Sequence, residues 1–297
     1  MKNQKMLGNV LLLITAMIWG TAFVFQRVGM ESIEPVTFTS ARMWLAALAA
    51  GGASLLFGKK NREAQSANRR ETILGGVCCG LFLAAASIFQ QAGIVTTTAG
   101  KAGFITALYI LLVPVLNLLL FKKKSGLHVW LAIGAGVFGM YLLCMKEGLR
   151  LTRGDTLVCV CAFLFSGHIL CCDHFARRAD PVRLAAVQFV TVALVSGVIA
   201  LLFEEPSGEK LRAALVPILY CGLVSGGVGY TLQMVAQGFT EPTVASLLMS
   251  LEAVFAAVAG ALLLHERMSG RELLGCVIMF IAIVLVQLPA PKRKGTE

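Results

Sequence analysis

The sequence predicts an all-α, polytopic membrane protein of ten transmembrane helices in two inverted five-helix repeats. Three observations carry this reading. Apolar runs of about 20 residues, the length that crosses a hydrocarbon core as a helix, recur along the whole 297-residue chain. The connections between them are short. The two halves of the chain repeat the same short motifs in the same order. Composition agrees: 57% of residues are hydrophobic and 14% charged, whereas soluble domains are about one quarter charged. The strands of a membrane β-barrel would instead be short segments of alternating polarity.

The expected spans are 7–27, 36–57, 72–94, 99–121, 127–146, 155–175, 182–203, 212–236, 242–264 and 271–289. The first run is too long for a signal-peptide core and has no small-residue cleavage site after it, so a retained helix is expected. The longest connection, 58–71, is rich in Lys and Arg, and no separate soluble domain is expected. Lys59, Lys60, Arg62, Arg69, Arg70, Lys122, Lys123, Lys124, Arg177, Arg178 and Arg183 fall on the side of the N-terminus. By the positive-inside rule both termini are cytoplasmic in a bacterial-type inner membrane. Lys146, Arg150 and Arg153 on the other side dissent.

The internal repeat is the most informative pattern. LLLFKKKSG at 118–126 matches LLLHERMSG at 262–270. Gly8 matches Gly154, Glu34–Pro35 matches Asp180–Pro181, and Cys79–Gly80–Leu81 with Gln91 matches Cys221–Gly222–Leu223 with Gln233. Together these place residues 1–150 in register with 151–297. Five spans is an odd number, so the second copy is inverted relative to the first. Inverted repeats around a midplane site are a transporter architecture.

Other functions find little support. The net charge of +10 is spread over helix flanks, without the basic and aromatic interleaving of a nucleic-acid groove. Of nine cysteines, Cys78–Cys79, Cys159, Cys161 and Cys171–Cys172 lie in apolar helices and read as small buried residues, so neither a metal site nor a disulfide framework is expected. The glycines lack the preceding strand and the Lys of a nucleotide loop, so no cofactor or ATP site is expected and transport must be facilitative or gradient-driven. Paired acids, a His-rich motif or a nucleophile on the loops are missing, so an enzyme is not expected. The expected partners are a small-molecule substrate and the lipid bilayer. Monomeric and dimeric states are both compatible with the sequence.

Two stretches carry a family resemblance. GYTLQMVAQGFTEPTVASLLMSLEAVFAAVAGALLLHERMSG at 229–270 and TAGKAGFITALYILLVPVLNLLLFKKKSG at 98–126 resemble the paired signatures of the EamA branch of the drug/metabolite transporter superfamily. AMIWGTAFVFQRV at 16–28 is similar to the family's first helix. The resemblance covers nearly the whole chain. It implies ten helices in two inverted repeats, a central cavity, and alternating access for export or import of small metabolites such as amino acids. There are departures. Where the family often has Glu-Pro in the ninth helix, Glu252 is followed by Ala253, so less of a kink is expected there. Ile110 stands where Pro is frequent, with Pro114 one turn later. His265 replaces the usual Gly in the last motif.

Several polar residues inside spans are candidates for function. A charged side chain at mid-membrane is costly unless it faces protein or water. Glu252 is such an acid. It reads as a proton-loading site, a direct substrate contact, or a structural acid helped by Ser246 and Ser250. Arg42, in the outer third of the second helix, suits bidentate capture of a substrate carboxylate or snorkels to Glu31 or Glu34. Gln90, Gln91 and Gln233 read as substrate or gate contacts, or as interhelical glue. Trp19, Thr106, Tyr109 and Tyr230 are expected on the cavity wall. His168 reads as a core-bonded histidine or a proton relay. The first, third, fourth, sixth, eighth and ninth helices should wall the cavity. The leading function is export of small polar metabolites such as amino acids. The alternatives are proton-coupled uptake, or a scaffold or channel role.

Overall fold

The computed structural model describes residues 2–57, 69–97, 99–123, 125–144, 152–263 and 269–287. Its elements are α1 (Lys2–Gly29), α2 (Pro35–Phe57), α3 (Arg69–Thr96), α4 (Ala99–Ala107), α5 (Tyr109–Phe121), α6 (Leu127–Cys144), α7 (Arg153–Ala176) and α8 (Pro181–Phe203). The short α9 (Gly208–Ala213) and α10 (Leu215–Leu219) lead into α11 (Tyr220–Tyr230), which is wound as a π-helix. Then come α12 (Thr231–Gln237), α13 (Pro242–Met249), α14 (Glu252–Leu263) and α15 (Gly270–Gln287). Among the described residues there is no strand, and seven helical segments are long and apolar enough to cross a membrane. The chain is therefore a polytopic helical membrane protein. Lys146, Arg150, the loop cations Lys59, Lys60 and Arg62, and His265 lie outside the described residues.

Local chemistry sets the helix ends. Thr152 and Asp155 form a capping box at α7: Asp155 N donates to Thr152 Oγ1 at 3.2 Å and Thr152 N to Asp155 Oδ2 at 2.8 Å. Ser269 and Glu272 do the same for α15. Such reciprocal bonds satisfy amides that the helix itself leaves free. Asp180 caps α8 with Pro181 in the first turn, where the missing N–H of proline costs nothing. Lys122 closes α5 in the left-handed conformation (φ 55°), its N–H bonded to Leu118 O at 3.0 Å.

Two expected spans are interrupted. The helix 99–121 breaks at Leu108, where the amide bonds three residues back to Ile105 O (3.2 Å). The helix beginning at Pro242 breaks at Ser250–Leu251, where Leu251 N reaches Leu248 O (3.3 Å). The second break lies in the hydrogen-bond ladder, and Ser250 itself keeps right-handed helical dihedrals (φ −62°, ψ −14°). Serine hydroxyls compete for carbonyls there: Ser250 Oγ bonds Leu247 O at 2.7 Å and Ser246 Oγ bonds Thr243 O at 2.9 Å. Back-bonding of this kind competes with the helical ladder. The helices resume at Tyr109 and at Glu252, so the breaks align these two residues, whereas the sequence motifs align Tyr109 with Ala253.

The glycine run Gly222, Gly226, Gly227 and Gly229 lies within α11, whose wider π-winding spans all four. Helices pack as α2 on α8, α3 on α7 and α8, α6 on α15, and α1 on α14 and on α11–α12. Leu48, Leu131, Leu201, Phe203, Leu262 and Val284 are exposed on the outside, as a lipid-facing surface requires. Close approach depends on glycine at α6–α15. A Cβ on Gly275 would stand 2.6 Å from Gly139 O, and one on Gly139 would stand 2.8 Å from Gly275 O. Gly134, on the same helix as Gly139, would meet no neighbour with an added Cβ. We expect Gly275→Val to force the two helices apart and lower stability by about 1–3 kcal/mol, read as a fall in Tm in detergent, while Gly134→Ala leaves Tm unchanged or slightly raised.

Candidate functional site: a charged cleft between broken helices

A narrow cleft lies where the two interrupted helices meet. Its cavity volume is only about 30 Å³. That is room for a few waters. Its walls come from α1 (Trp19, Phe23, Gln26), α2 (Arg42), α3 (Gln90), α4 and α5 (Thr106, Tyr109), α7 (Phe165, Ile169), α11 and α12 (Ser225, Tyr230, Gln233) and α14 (Glu252). The second helix thus joins the six that were expected to wall the cavity.

The central contact joins the two breaks. Tyr109 Oη, first residue of α5, donates to Glu252 Oε1, first residue of α14, at 3.0 Å. Both are buried, at 2% and 3% exposure. Glu252 can sit there because the cleft supplies a donor in place of lipid. Beside it, Gly20 lets α1 pass: a Cβ there would stand 2.6 Å from Glu252 O and 2.5 Å from Phe255 Cβ. The neighbouring Trp19 turns its ring into the cleft, donates from Nε1 to Ser225 O at 3.2 Å, and packs on Tyr230 with ring centroids 4.6 Å apart. Ser225 lies inside the π-wound segment. Gln90 Nε2 bonds Thr106 Oγ1 at 3.2 Å.

Arg42 is 2% exposed and faces the cleft. Arg42 does not pair with Glu34, whose Oε1 is held by Lys210. Gln91 and His168 do not line the cleft. Gln91 Nε2 bonds Met30 Sδ at 3.4 Å. His168 is fully buried one layer back, its Nε2 3.1 Å from Gln188 Oε1. Gln26 also lines the cleft, although the sequence does not single it out. Its spacing of one and two turns from Phe23 and Trp19 places it on their helix face and could have found it. Phe165 and Ile169 were passed over because apolar residues in an apolar helix carry no signal. Four cysteines face one another across α3 and α7: Cys78 and Cys171 at 3.7 Å, Cys79 and Cys172 at 4.0 Å. No metal-binding cluster is present among the described residues.

The two ends of the molecule differ. On the face carrying the N-terminus, a vestibule of about 1470 Å³ opens between Lys5, Asn9, Asn117, Lys123, Asp173, Arg177, Arg178 and Glu241, and reaches inward to Leu248 and Leu251. On the opposite face the helices are tied together. Glu204 accepts from Val36 N (2.9 Å), Thr37 N (2.6 Å) and Thr37 Oγ1 (2.6 Å) at the start of α2, where a carboxylate is favoured by the helix dipole. Arg27 donates to Ile94 O at 2.8 Å, and Thr97 Oγ1 to Asp155 Oδ1 at 2.5 Å. Glu34 pairs with Lys210, which holds the Glu34 carboxyl below its ordinary pKa.

Comparison with known proteins assigns the fold. The model of the EamA-like transporter family matches residues 6–145 and again 152–288. The chain belongs to the EamA-like transporter family. An uncharacterized transporter of Archaeoglobus fulgidus is 25% identical over 285 residues, covering 96% of this chain and 87% of that protein. The uncharacterized transporter YoaV of Bacillus subtilis is 22% identical over 98% of this chain and 99% of its own length. A WAT1-related protein of Arabidopsis thaliana is 24% identical over 46% of this chain and 38% of its own. A solved crystal structure superposes with a TM-score of 0.76 at 16% identity, covering 94% of this chain and 96% of that one, which shows a shared fold. Family and relatives are described as transporters, not enzymes.

Two measurements test this geometry. Tyr109→Phe leaves the buried Glu252 Oε1 without its donor and should lower stability by about 1–3 kcal/mol. Glu252→Gln added to it should cost less than the sum of the two single changes, read as Tm values in one detergent. The Glu34–Lys210 tie has a defined pH window. The folded pKa of Glu34 is lowered, so its contribution is fully present above the ordinary carboxylate value of about 4.3 and is lost as pH falls through the lowered one. Glu34→Gln should therefore leave the pH dependence of Tm unchanged between about pH 6 and 8 and flatten it only in acid.

Proposed function

We propose that this chain is a secondary transporter that exports small polar metabolites such as amino acids by alternating access across the cell membrane, with both termini cytoplasmic. In this reading ten transmembrane segments form two inverted repeats, 1–150 and 151–297. The observation that carries it is a charged, water-poor cleft at the junction of two broken helices, with a wide vestibule toward one face and tied helices toward the other. Irregular backbone at membrane depth is tolerated only where it is buried in protein or lines a cavity. Transporter sites near midplane are built from such discontinuous helices.

Three further features support the repeat. The breaks at Leu108 and at Ser250–Leu251 fall in corresponding spans. The pairings of α1 with α14 and of α4–α5 with α7 correspond under exchange of the halves, as do those of α2 and α3 with α11 and α8. The family model matches each half separately. The narrow cleft and wide vestibule describe a state open toward the N-terminal face. A solute entering from that face meets the cleft from below Leu251, and release requires breaking the ties made by Glu204, Arg27 and Lys210.

A second reading, proton-coupled movement of the solute, is favoured by one observation. Glu252 is the acid on the cleft wall, and its partner Tyr109 is a neutral donor that serves the charged carboxylate without a fixed counter-ion. Counterflow in proteoliposomes tests both readings. We expect labelled amino acid to exchange against an inside pool at unchanged chemical identity. Glu252→Gln should retain exchange but lose pH-dependent, gradient-driven accumulation if the proton reading holds. Full concentrative transport by that variant would remove Glu252 from coupling, and no exchange of any solute tried would count against transport.

A further inference from the structure

The guanidinium of Arg42 is the least balanced group in the cleft. Its Nε and Nη2 are buried and have no hydrogen-bond partner. Its neighbours are the Phe38 ring, 5.5 Å from the guanidinium carbon, the thiol of Cys221, which is within weak hydrogen-bonding reach, and the hydroxyl of Tyr230. None of them is an acid, and Arg42 makes no ion pair with a described residue. A buried charge left without a partner is among the most destabilising features a fold can keep. The free atoms are also particular. Nε–H and the adjacent Nη2–H lie on one edge of the guanidinium and point the same way, so they form the two-pronged donor that matches the two oxygens of a carboxylate. The same cleft holds two unused acceptors, the buried Oε1 atoms of Gln26 and Gln233. The backbone holds Arg42 in place: α11 packs so closely on α2 that a Cβ on Gly222 would stand 2.8 Å from Arg42 O.

We propose that Arg42 receives the carboxylate of the transported solute through its Nε/Nη2 edge, while Gln26 and Gln233 accept hydrogen bonds from the solute's ammonium group. This rests on the transport reading above and narrows its substrate to a free amino acid zwitterion. A phosphate monoester fits less well. Arg42 is the cation lining the cleft, and the Glu252 carboxyl shares the wall, so a second negative charge on the solute would go unmatched. A simple amine lacks the group that would occupy the free edge.

The test is binding to the purified full chain in detergent, read by thermal shift. The probes are the common L-α-amino acids, each set beside its methyl ester and the corresponding decarboxylated amine. We expect at least one free acid to raise Tm in a saturable way and its ester and amine to bind about tenfold or more weaker, because they leave the buried donor edge unpaired. Arg42→Lys, which keeps the charge but loses the two-pronged edge, should weaken the acid by a similar factor and leave the weak ester affinity unchanged. The acid-against-ester comparison uses the wild-type protein, so it decides the matter even where the variant does not fold. Equal affinity for acid and ester, or no binding by any acid, overturns the proposal. Counterflow of the same acid separates the two claims. Tight acid binding without exchange supports the Arg42 site and counts against transport. Exchange of acid and ester alike supports transport and overturns the Arg42 site.

Discussion

The hydrogen bond from Tyr109 to Glu252 joins the two places where transmembrane helices lose their regular ladder. In a bilayer, an interrupted helix leaves backbone groups that lipid cannot satisfy, and a buried carboxylate is costlier still. Both problems are met at one point. The breaks at Leu108 and Ser250–Leu251 turn the starts of α5 and α14 toward each other, and each contributes a side chain that partners the other. Gly20 on α1 allows the close crossing beside Glu252. Trp19, the next residue, reaches the opposite wall, where the π-wound α11 offers the Ser225 carbonyl. The cleft is thus a consequence of how these irregular segments satisfy one another.

Around this centre the molecule divides polar work between its two faces. Toward the N-terminal face the elements separate and leave a wide, predominantly basic vestibule. Toward the other face, charged side chains act on backbone. Glu204 reaches across from the end of α8 to the first amides of α2, and Arg27 holds the last carbonyls of α3. Such contacts join helix termini to one another. Arg42 differs from these cations. Its counter-charge is missing from the described chain, and the edge it leaves free has a definite shape.

Much of this was legible in the sequence because the membrane imposes strong one-dimensional constraints. A hydrocarbon core demands long apolar runs, so the expected span starts at 36, 127, 182 and 242 fall within one residue of the observed helix starts at 35, 127, 181 and 242. Intramembrane polar residues are costly, so Trp19, Arg42, Gln90, Thr106, Tyr109, Tyr230, Gln233 and Glu252 stood out, and all of them line the cleft. The same logic picked Gln91 and His168, which are buried polar residues of another kind, bonded to Met30 and Gln188 in packed helix contacts. Cost of burial alone cannot tell an inward-facing group from one bonded between helices. Phe23, Phe165 and Ile169 had no such cost to mark them.

What the sequence determined by itself is the all-helical membrane class, the family, and the identity of the polar groups that some cavity must accommodate, because each follows from composition and order along the chain. The tertiary structure decided which helix faces converge, and it broke the helix before Glu252 without a proline, through serine hydroxyls competing for backbone carbonyls. It also decided that Glu34 belongs to Lys210 and not to Arg42. Those outcomes depend on distances between segments far apart in sequence, where a one-residue rotation of a helix, about 100°, turns a cleft residue into a packed one.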